Sequence, residues 1–336
     1  MVDLTELLLD AARRSATYLS ANGESPAAPS PEAVAALDGF DDTLPVGPTA
    51  PEDVLARLDA LGSPATMRST GGRYFGFVNG GTEPAGRAAA ILAGTWDQNS
   101  AMSVMSPVAG RLDGIAAAWV VELLGLPPSA VATFCGGASV ANLTAILVAR
   151  DALLHRIGWS VDERGLAGSP PLRVVTSAEI HVSVSKALRA AGVGTDQVER
   201  VATDDCGRLV ADRLPTLDDR TIVVCQAGNV NTGHSDPFEP IVAAARSAGA
   251  WVHVDGAFGL WSAAAPERSH LVAGVDGADS WATDAHKWLN APYDSGVCIV
   301  RDGDDLRRAM ATDAAYLTTG DGRVPMHLGL QMSQRA

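Results

Sequence analysis

Short apolar runs alternate with longer amphipathic segments from about residue 129 onward. The apolar runs predict seven strands, at 131–134, 172–176, 199–202, 221–226, 250–256, 278–283 and 296–301. The segments between them predict helices at 139–156, 182–192, 239–248 and 267–273. Nearly continuous apolar strands joined by helices are typical of a mostly parallel sheet covered on both faces. We therefore predict an α/β fold on a seven-stranded sheet, with the ligand beyond the carboxyl ends of the strands.

The residues before 129 show helical spacing and no strand pattern. Residues 3–21 place Leu4, Leu8 and Leu19 on one apolar stripe, and residues 22–52 form a connector rich in Pro, Ser, Gly and Ala. Further helices are predicted at 53–62, 83–105 and 108–125. We divide the chain into an N-terminal helical segment with its connector (1–128), an α/β domain (129–313) and a short ending (314–336).

Composition and charge narrow the class of protein. The 336 residues are 47% hydrophobic and 19% charged, as in ordinary globular proteins. The net charge of −14 argues against nucleic acid or an anionic membrane surface as the main partner. No apolar run is long enough to span a membrane. No basic residue precedes the first apolar stretch, as one would in a secretory signal. The four cysteines are widely separated, which argues against a disulfide framework or a zinc site. A cytoplasmic location is therefore expected.

Lysine is scarce in this chain. Only two of the 25 basic residues are lysines, Lys186 and Lys287. Arginine can replace lysine as a surface cation, but it cannot supply the neutral primary amine that attacks a carbonyl. Each remaining lysine is therefore a candidate nucleophile, although either can also be an ordinary surface cation.

Four loops that follow predicted strands carry candidate functional residues. After 131–134, Gly136 and Gly137 lead through Ala138 and Ser139 into a helix, which suits either a phosphate site or a plain turn with Ser139 as its cap. After 172–176 comes His181, a candidate ring-stacking residue or a helix cap.

The two other loops carry a carboxylate and an amine. Asp255 ends an otherwise apolar strand, where a buried carboxylate needs a cationic partner, and Ala257 shares its face of the strand. Asp255 can alternatively cap the next helix. Lys287 follows His286 after the strand 278–283. A phosphate cradle, a histidine, a buried carboxylate and an amine are the groups that pyridoxal 5′-phosphate (PLP) requires.

The stretches that carry these residues also resemble a known family. GGASVANLTAILVAR (136–150), SAEIHVSVSKALRAAG (177–192), HVDGAFG (253–259) and ADSWATDAHKWLN (278–290) resemble the group II PLP-dependent amino-acid decarboxylases. The resemblance covers about residues 70–320 and implies the large domain of the PLP-dependent transferase-like fold (fold type I). It also implies a homodimer that acts on an amino-acid substrate.

The resemblance implies a role for each candidate. Lys287 would form the Schiff base, His181 would stack on the ring, Asp255 would pair with the pyridinium nitrogen, and Ala257 would lie under the opposite ring face. Ala138, Ser139 and His286 would hold the phosphate. Where the family has a Gly-Thr-Thr loop, this chain has Ala227-Gly228-Asn229, and Asn229 is the candidate for a cofactor contact there.

The resemblance also leaves differences and alternatives. The segment 318–327 lacks the tyrosine that protonates the product in several family members, and His327 is a candidate substitute. Because family chains continue into a C-terminal domain, we expect this 336-residue chain to have little or no activity by itself. The resemblance favours decarboxylation of an L-amino acid. The alternatives are oxidative decarboxylation to an aldehyde, carbon–carbon lyase chemistry, transamination, or binding of PLP without turnover.

Overall fold

The computed structural model describes residues 3–40, 43–44, 46–312 and 323–335. The α-helices of this part of the chain are α1 (Leu4–Ser20), α2 (Pro31–Ala35), α3 (Pro51–Gly62), α4 (Pro84–Trp96), α5 (Pro107–Leu123), α6 (Ala138–Arg156), α7 (Val161–Arg164), α8 (Val182–Ala190), α9 (Phe238–Ala248) and α10 (Gly303–Met310). The strands are β1 (Val131–Cys135), β2 (Arg173–Ser177), β3 (Val198–Val201), β4 (Thr221–Gln226), β5 (Trp251–Asp255), β6 (Ser280–Asp284) and β7 (Gly296–Val300). The seven predicted strands are confirmed, each within two residues at its ends.

The strands form one sheet in the order β1-β7-β6-β5-β4-β2-β3. Strand β7 runs antiparallel to its neighbours β1 and β6, and the other pairs are parallel. The carboxyl ends of β1, β2, β4, β5 and β6 therefore meet at one edge, together with the start of β7. The predicted candidates follow these ends, so the topology brings them to the same edge.

Both faces of the sheet are covered. Val223 and Cys225 of β4 face a core that includes residues of α5 and α9, while Ile222 and Val224 face a second core that includes α6 and α8. The alternation follows from the pleat, which points successive side chains to opposite faces. The predicted α/β fold with helices on both faces is thereby confirmed.

Two compact units divide the chain, one from Met1 to Gly81 and one from Thr82 to Ala336. This division differs from the predicted boundary at residue 128, because α5 contributes Ala117, Val120 and Val121 to the core under the sheet. Residues 314–322 of the predicted ending lie outside the described residues.

The first unit contains α1, α2 and α3. Asp3 caps α1 by accepting a hydrogen bond from the backbone N–H of Thr5 at 2.9 Å. Arg14 of α1 contacts Asp59 of α3 at 3.0 Å. The predicted helix 3–21 is confirmed, but no described residue of α1 is buried in this single chain.

Some helix predictions are wrong in detail. The helix predicted over 83–105 ends at Trp96, because Asp97 adopts a left-handed conformation with φ of 50°. The helix predicted over 267–273 is a short 3-10 turn, Ser269–Val272. Within the described residues, no helix is both long and apolar enough to cross a membrane.

Candidate active site

The candidate site lies at the carboxyl edge of the sheet, between β4, β5, β6 and the start of α6. Asp255 ends β5 beside Gln226 of β4 and Ala282 of β6. Asp284 ends β6 opposite Gly296, the first residue of β7. Both carboxylates are almost completely buried, with 5% of Asp255 and 3% of Asp284 exposed. Buried carboxylates need cations or hydrogen-bond donors close by.

Lys287 supplies the cation at this edge. It lies in the turn after β6, and its Nζ atom is 3.0 Å from Oδ2 of Asp284. Its charge also lowers the pKa of Asp255. The amine therefore lies near two buried carboxylates, and 20% of its side chain remains exposed.

Asp255 is a buried carboxyl group whose pKa lies above its ordinary value, although several neighbours oppose that shift. Burial raises its pKa, whereas the Asn142 amide, His181, Lys287 and the backbone N–H of Ala257 lower it. The Ala257 N–H donates to Oδ1 at 3.2 Å. Because His181 and Lys287 both act on Asp255, the structure brings the three predicted catalytic side chains into one site.

The start of α6 lies against Asp284. The backbone N–H of Ala138 donates to Oδ1 of Asp284 at 2.5 Å. A Cβ on Gly296 would lie 2.4 Å from backbone atoms of Gly137, so only glycine at position 296 allows this approach. Ala138 is buried, whereas Ser139 is exposed in the first turn. The helix start therefore lies at the edge where the Lys287 amine lies, with the Asp284 carboxylate bonded to its first N–H group.

His286 lies beside Asp284 and Tyr293. Its ring stacks on Tyr293 with centroids 4.1 Å apart, and its Nε2 atom is 3.6 Å from Oδ2 of Asp284. Burial is the main influence that lowers its pKa, so the imidazole is neutral at neutral pH. Its Nδ1 atom is buried and has no hydrogen-bond partner in the described part of the chain.

His181 caps α8 from the edge of the site. Its Nδ1 atom accepts a hydrogen bond from the Ser183 backbone N–H at 3.3 Å and contacts the Ser183 hydroxyl at 2.7 Å. The residue is exposed. His181 therefore caps a helix and also lies close enough to Asp255 to influence its charge, while its stacking on a cofactor ring stays a prediction.

Asn229 is buried, and its amide is already engaged. Its Oδ1 atom accepts hydrogen bonds from the N–H groups of Asn231 and Thr232, at 2.9 and 3.3 Å. Its Nδ2 atom donates to Oε2 of Glu179 at 3.2 Å. Glu179 lies two residues before His181, so Asn229 ties its own loop to the segment that carries His181.

Sequence reasoning assigned no role to Asn142 or Asp284. Asn142 is a fully buried amide on a helix whose neighbouring buried positions are mostly alanine and aliphatic residues, and that contrast was the available signal. Asp284 lies in the segment Asp284-Ala285-His286-Lys287, in which only His286 and Lys287 were candidates. The ring partner Tyr293 had no sequence signal, because its contact with His286 depends on how the loop folds back.

Several buried polar atoms in the described residues lack a partner. They include Nδ2 of Asn142, Oγ1 of Thr283 and Nδ1 of His286, which lie at or near this edge, and Nε2 of His327. An amine, a buried carboxylate and unpartnered polar atoms at one edge fit a polar, ring-shaped cofactor with an aldehyde and a phosphate. The fold and site thus define a cofactor-dependent α/β enzyme scaffold.

Comparison with known proteins identifies the family. Residues 39–336 match the pyridoxal-dependent decarboxylase conserved domain, and the chain belongs to this family. The predicted cofactor, PLP, is thereby confirmed. The sequence is 28% identical to the aromatic-L-amino-acid decarboxylase of Bacillus atrophaeus over 275 residues, which cover 78% of this chain and 55% of the relative. It is 29% identical to the phenylacetaldehyde synthase of Arabidopsis thaliana over 293 residues, with 82% and 58% covered.

Solved structures agree on the fold. The structure of Oryza sativa TDC with PLP and tryptamine superposes with a TM-score of 0.87 at 23% identity, covering 99% of this chain and 72% of that one. Mouse CSAD superposes with a TM-score of 0.86 at 24% identity, covering 99% and 71%. The predicted fold type I class is confirmed. The chain spans about half the length of the curated relatives it matches, 51–58% of the first four.

Proposed function

We propose that this chain carries out PLP-dependent decarboxylation of an L-amino acid, which gives the corresponding amine and carbon dioxide. The observation that carries the proposal is that Lys287 and the buried Asp255 follow the neighbouring strands β6 and β5 at one edge, where the charge of Lys287 opposes the upward effect of burial on the pKa of Asp255. An amine and a buried carboxylate at one cleft are what PLP chemistry needs from its protein. Decarboxylases among the relatives, such as that of Bacillus atrophaeus, support the reaction class.

In this proposal the Lys287 amine would hold the cofactor by a covalent bond to its aldehyde carbon, with the aldehyde oxygen lost as water. Asp255 faces the ring nitrogen and holds a proton on it, because a buried carboxylate stabilises a neighbouring cation strongly. When bound, the cofactor supplies an electron sink for the bond between Cα and the substrate carboxylate. Asp255 is then the largest electrostatic contribution of this chain to the reaction.

The remaining candidates bind and orient in this proposal. His181 stacks on one ring face, and Ala257 lies under the other, where its small side chain leaves room. Ala138, Ser139 and His286 bind the phosphate, with the start of α6 supplying N–H groups. For Asn229 we propose an indirect role, through the Glu179 contact that supports the His181 segment.

A borohydride experiment tests the cofactor assignment. The protein is incubated with PLP, its visible spectrum is recorded, and the mixture is reduced with borohydride and mapped by peptide mass spectrometry. The pyridoxyl group should lie on Lys287. Lys287→Arg should abolish labelling, whereas the matched variant Lys186→Arg, at an exposed site on α8, should keep it. A label on Lys186, or on neither lysine, would contradict the assignment.

Product analysis separates decarboxylation from the second candidate, oxidative decarboxylation to an aldehyde. The relationship to Arabidopsis thaliana phenylacetaldehyde synthase favours that second candidate. A panel of L-amino acids is incubated with the PLP-loaded protein, and carbon dioxide, amine, aldehyde and hydrogen peroxide are measured. Equal amounts of amine and carbon dioxide support decarboxylation, while aldehyde with peroxide supports the alternative.

We also propose a homodimer. Leu4, Leu8 and Leu9 of α1 are 65%, 49% and 45% exposed in the single chain, and a second copy could cover them. Light scattering of the purified protein tests this directly, since a monomeric mass at micromolar concentration would contradict it. The cytoplasmic location stays a prediction.

A further inference from the structure

A buried row of polar side chains runs along one face of β5 and ends at Asp255. Trp251, His253 and Asp255 alternate along the strand, so all three point to the same face. His253 pairs in register with Ser280 of β6. Helix α6 contributes Asn142 to the same face, where its side chain contacts His253.

Three hydrogen bonds connect this row. Nε1 of Trp251 donates to Oγ of Ser280 at 2.9 Å. Oγ of Ser280 lies 2.9 Å from Nδ1 of His253. Nε2 of His253 lies 2.8 Å from Oδ1 of Asn142. All four side chains are buried, with at most 1% of each residue exposed.

The chemistry of the two ends sets the direction of every bond. The Trp251 indole can only donate, so the Ser280 hydroxyl proton is free to point at Nδ1 of His253. Burial lowers the pKa of His253 to about 3, so its ring is neutral and carries one N–H group. Oδ1 of Asn142 can only accept, so the N–H group is on Nε2 and donates to it, and Nδ1 accepts from the Ser280 hydroxyl.

Because His253 occupies Oδ1 of Asn142, the amide nitrogen is the group of this side chain left to act on Asp255. Nδ2 is buried and makes no hydrogen bond of ordinary geometry with the described residues. The amide nevertheless lies close enough to lower the pKa of Asp255, and it is the strongest of the influences that oppose burial there. An ionised carboxylate only accepts hydrogen bonds, so the N–H groups of the Asn142 amide suit the charged form of Asp255.

We propose that Asn142, oriented by His253 and Ser280, is a positioning residue that favours the ionised form of Asp255 and aims its carboxylate at the ring nitrogen of the cofactor. This inference rests on the proposed function, because it needs Asp255 to face that nitrogen. Asn142 touches neither the substrate nor the bond that breaks. It acts through Asp255, so its removal should weaken selectively the part of cofactor binding that depends on the ring nitrogen.

A comparison of two cofactors isolates the part of cofactor binding that depends on the ring nitrogen. One is PLP, and the other is its 1-deaza analogue, in which carbon replaces the ring nitrogen. Dissociation constants for both are measured by fluorescence titration of the full chain, and the ratio of the two constants reports the Asp255 contact. The variants are Asn142→Leu and Asn142→Ala, with Asp255→Asn as the reference for loss of the contact. Thr144→Val is the matched control, because Thr144 is a buried residue of α6 whose hydroxyl donates to the Val140 carbonyl of its own helix.

We expect the wild-type preference for PLP to fall about tenfold in both Asn142 variants, since a hydrogen bond to a charged group contributes about that factor. Affinity for the deaza analogue should change little, and Thr144→Val should keep the full preference. An unchanged preference in the Asn142 variants, or an equal fall in Thr144→Val, would overturn the inference. A wild-type protein that binds both compounds equally would instead contradict the assigned role of Asp255 and thus the proposed function.

Discussion

Asp284 bonds the candidate catalytic amine of Lys287 directly, with Nζ and Oδ2 3.0 Å apart. The other oxygen of the same carboxylate accepts the Ala138 N–H at the start of α6. One buried side chain therefore fixes both the amine and the helix that we propose binds the phosphate. Sequence analysis treated these as separate features of two distant motifs.

Replacing Asp284 should loosen both contacts at once. Asp284→Asn keeps the size but removes the charge, and charge-assisted hydrogen bonds contribute more than neutral ones. We expect the free energy of unfolding of the cofactor-free protein to fall by about 1–3 kcal/mol, measured by urea denaturation. Asp294→Asn, at an exposed acid nearby, is the control and should change little. Equal effects in the two variants would mean that the Asp284 contacts contribute nothing specific.

Gly296 should tolerate no side chain. A Cβ there would lie 2.4 Å from backbone atoms of Gly137, and neither backbone segment can move aside easily. We expect Gly296→Ala to lower the free energy of unfolding by about 1–3 kcal/mol and to weaken PLP binding. Gly136→Ala in the same loop is the matched control, because its Cβ would meet nothing within 4 Å. Denaturant unfolding and PLP titration of both variants test the difference, and a harmless Gly296→Ala would contradict the packing.

The strands were predictable because apolar runs such as 221–226 contrast sharply with their flanks. The grouping of Lys287, Asp255 and His181 also followed from sequence, since residues after parallel strands share an edge. Contacts between distant elements were harder to predict from the sequence. Asn142 reaches His253 only through the register of α6 against β5, and no local pattern encodes that register. The short 3-10 turn at Ser269–Val272 was mistaken for a helix because one turn of either helix has similar apolar spacing.

Acid should destabilise the protein through His253. Burial lowers the pKa of His253 from 6.5 to about 3, so the folded chain holds a neutral ring while the unfolded chain takes up a proton. The stability from this group is complete above pH 6.5 and is lost as the pH falls toward 3. At about pH 4.5 the loss amounts to about 3 kcal/mol. His253→Gln should lack this part of the pH dependence.

Urea denaturation at several pH values measures this dependence in wild type and variant. The exposed His155 provides the control His155→Gln, which should keep the wild-type slope. Parallel slopes for wild type and His253→Gln would show that His253 does not remain neutral in the folded protein.

Asp255→Asn should separate function from stability. Burial raises the pKa of Asp255, so in the cofactor-free protein this group's contribution to stability falls as the pH rises above its ordinary value of 3.8. Asparagine has the same shape and no charge to bury, so we expect Asp255→Asn to unfold at the same or a higher urea concentration than wild type at neutral pH.

Without the carboxylate, however, nothing at the end of β5 stabilises a proton on the cofactor ring. PLP affinity should fall, and any turnover should fall at least about 100-fold, as when a preorganised charge contact is lost from a dry site. Gains of stability at the expense of activity are typical of functional residues.

Asp255 can alternatively be a structural cap, since it accepts the Ala257 N–H. In that case Asp255→Asn would lower stability and leave PLP affinity unchanged, and parallel urea and PLP titrations distinguish the two outcomes.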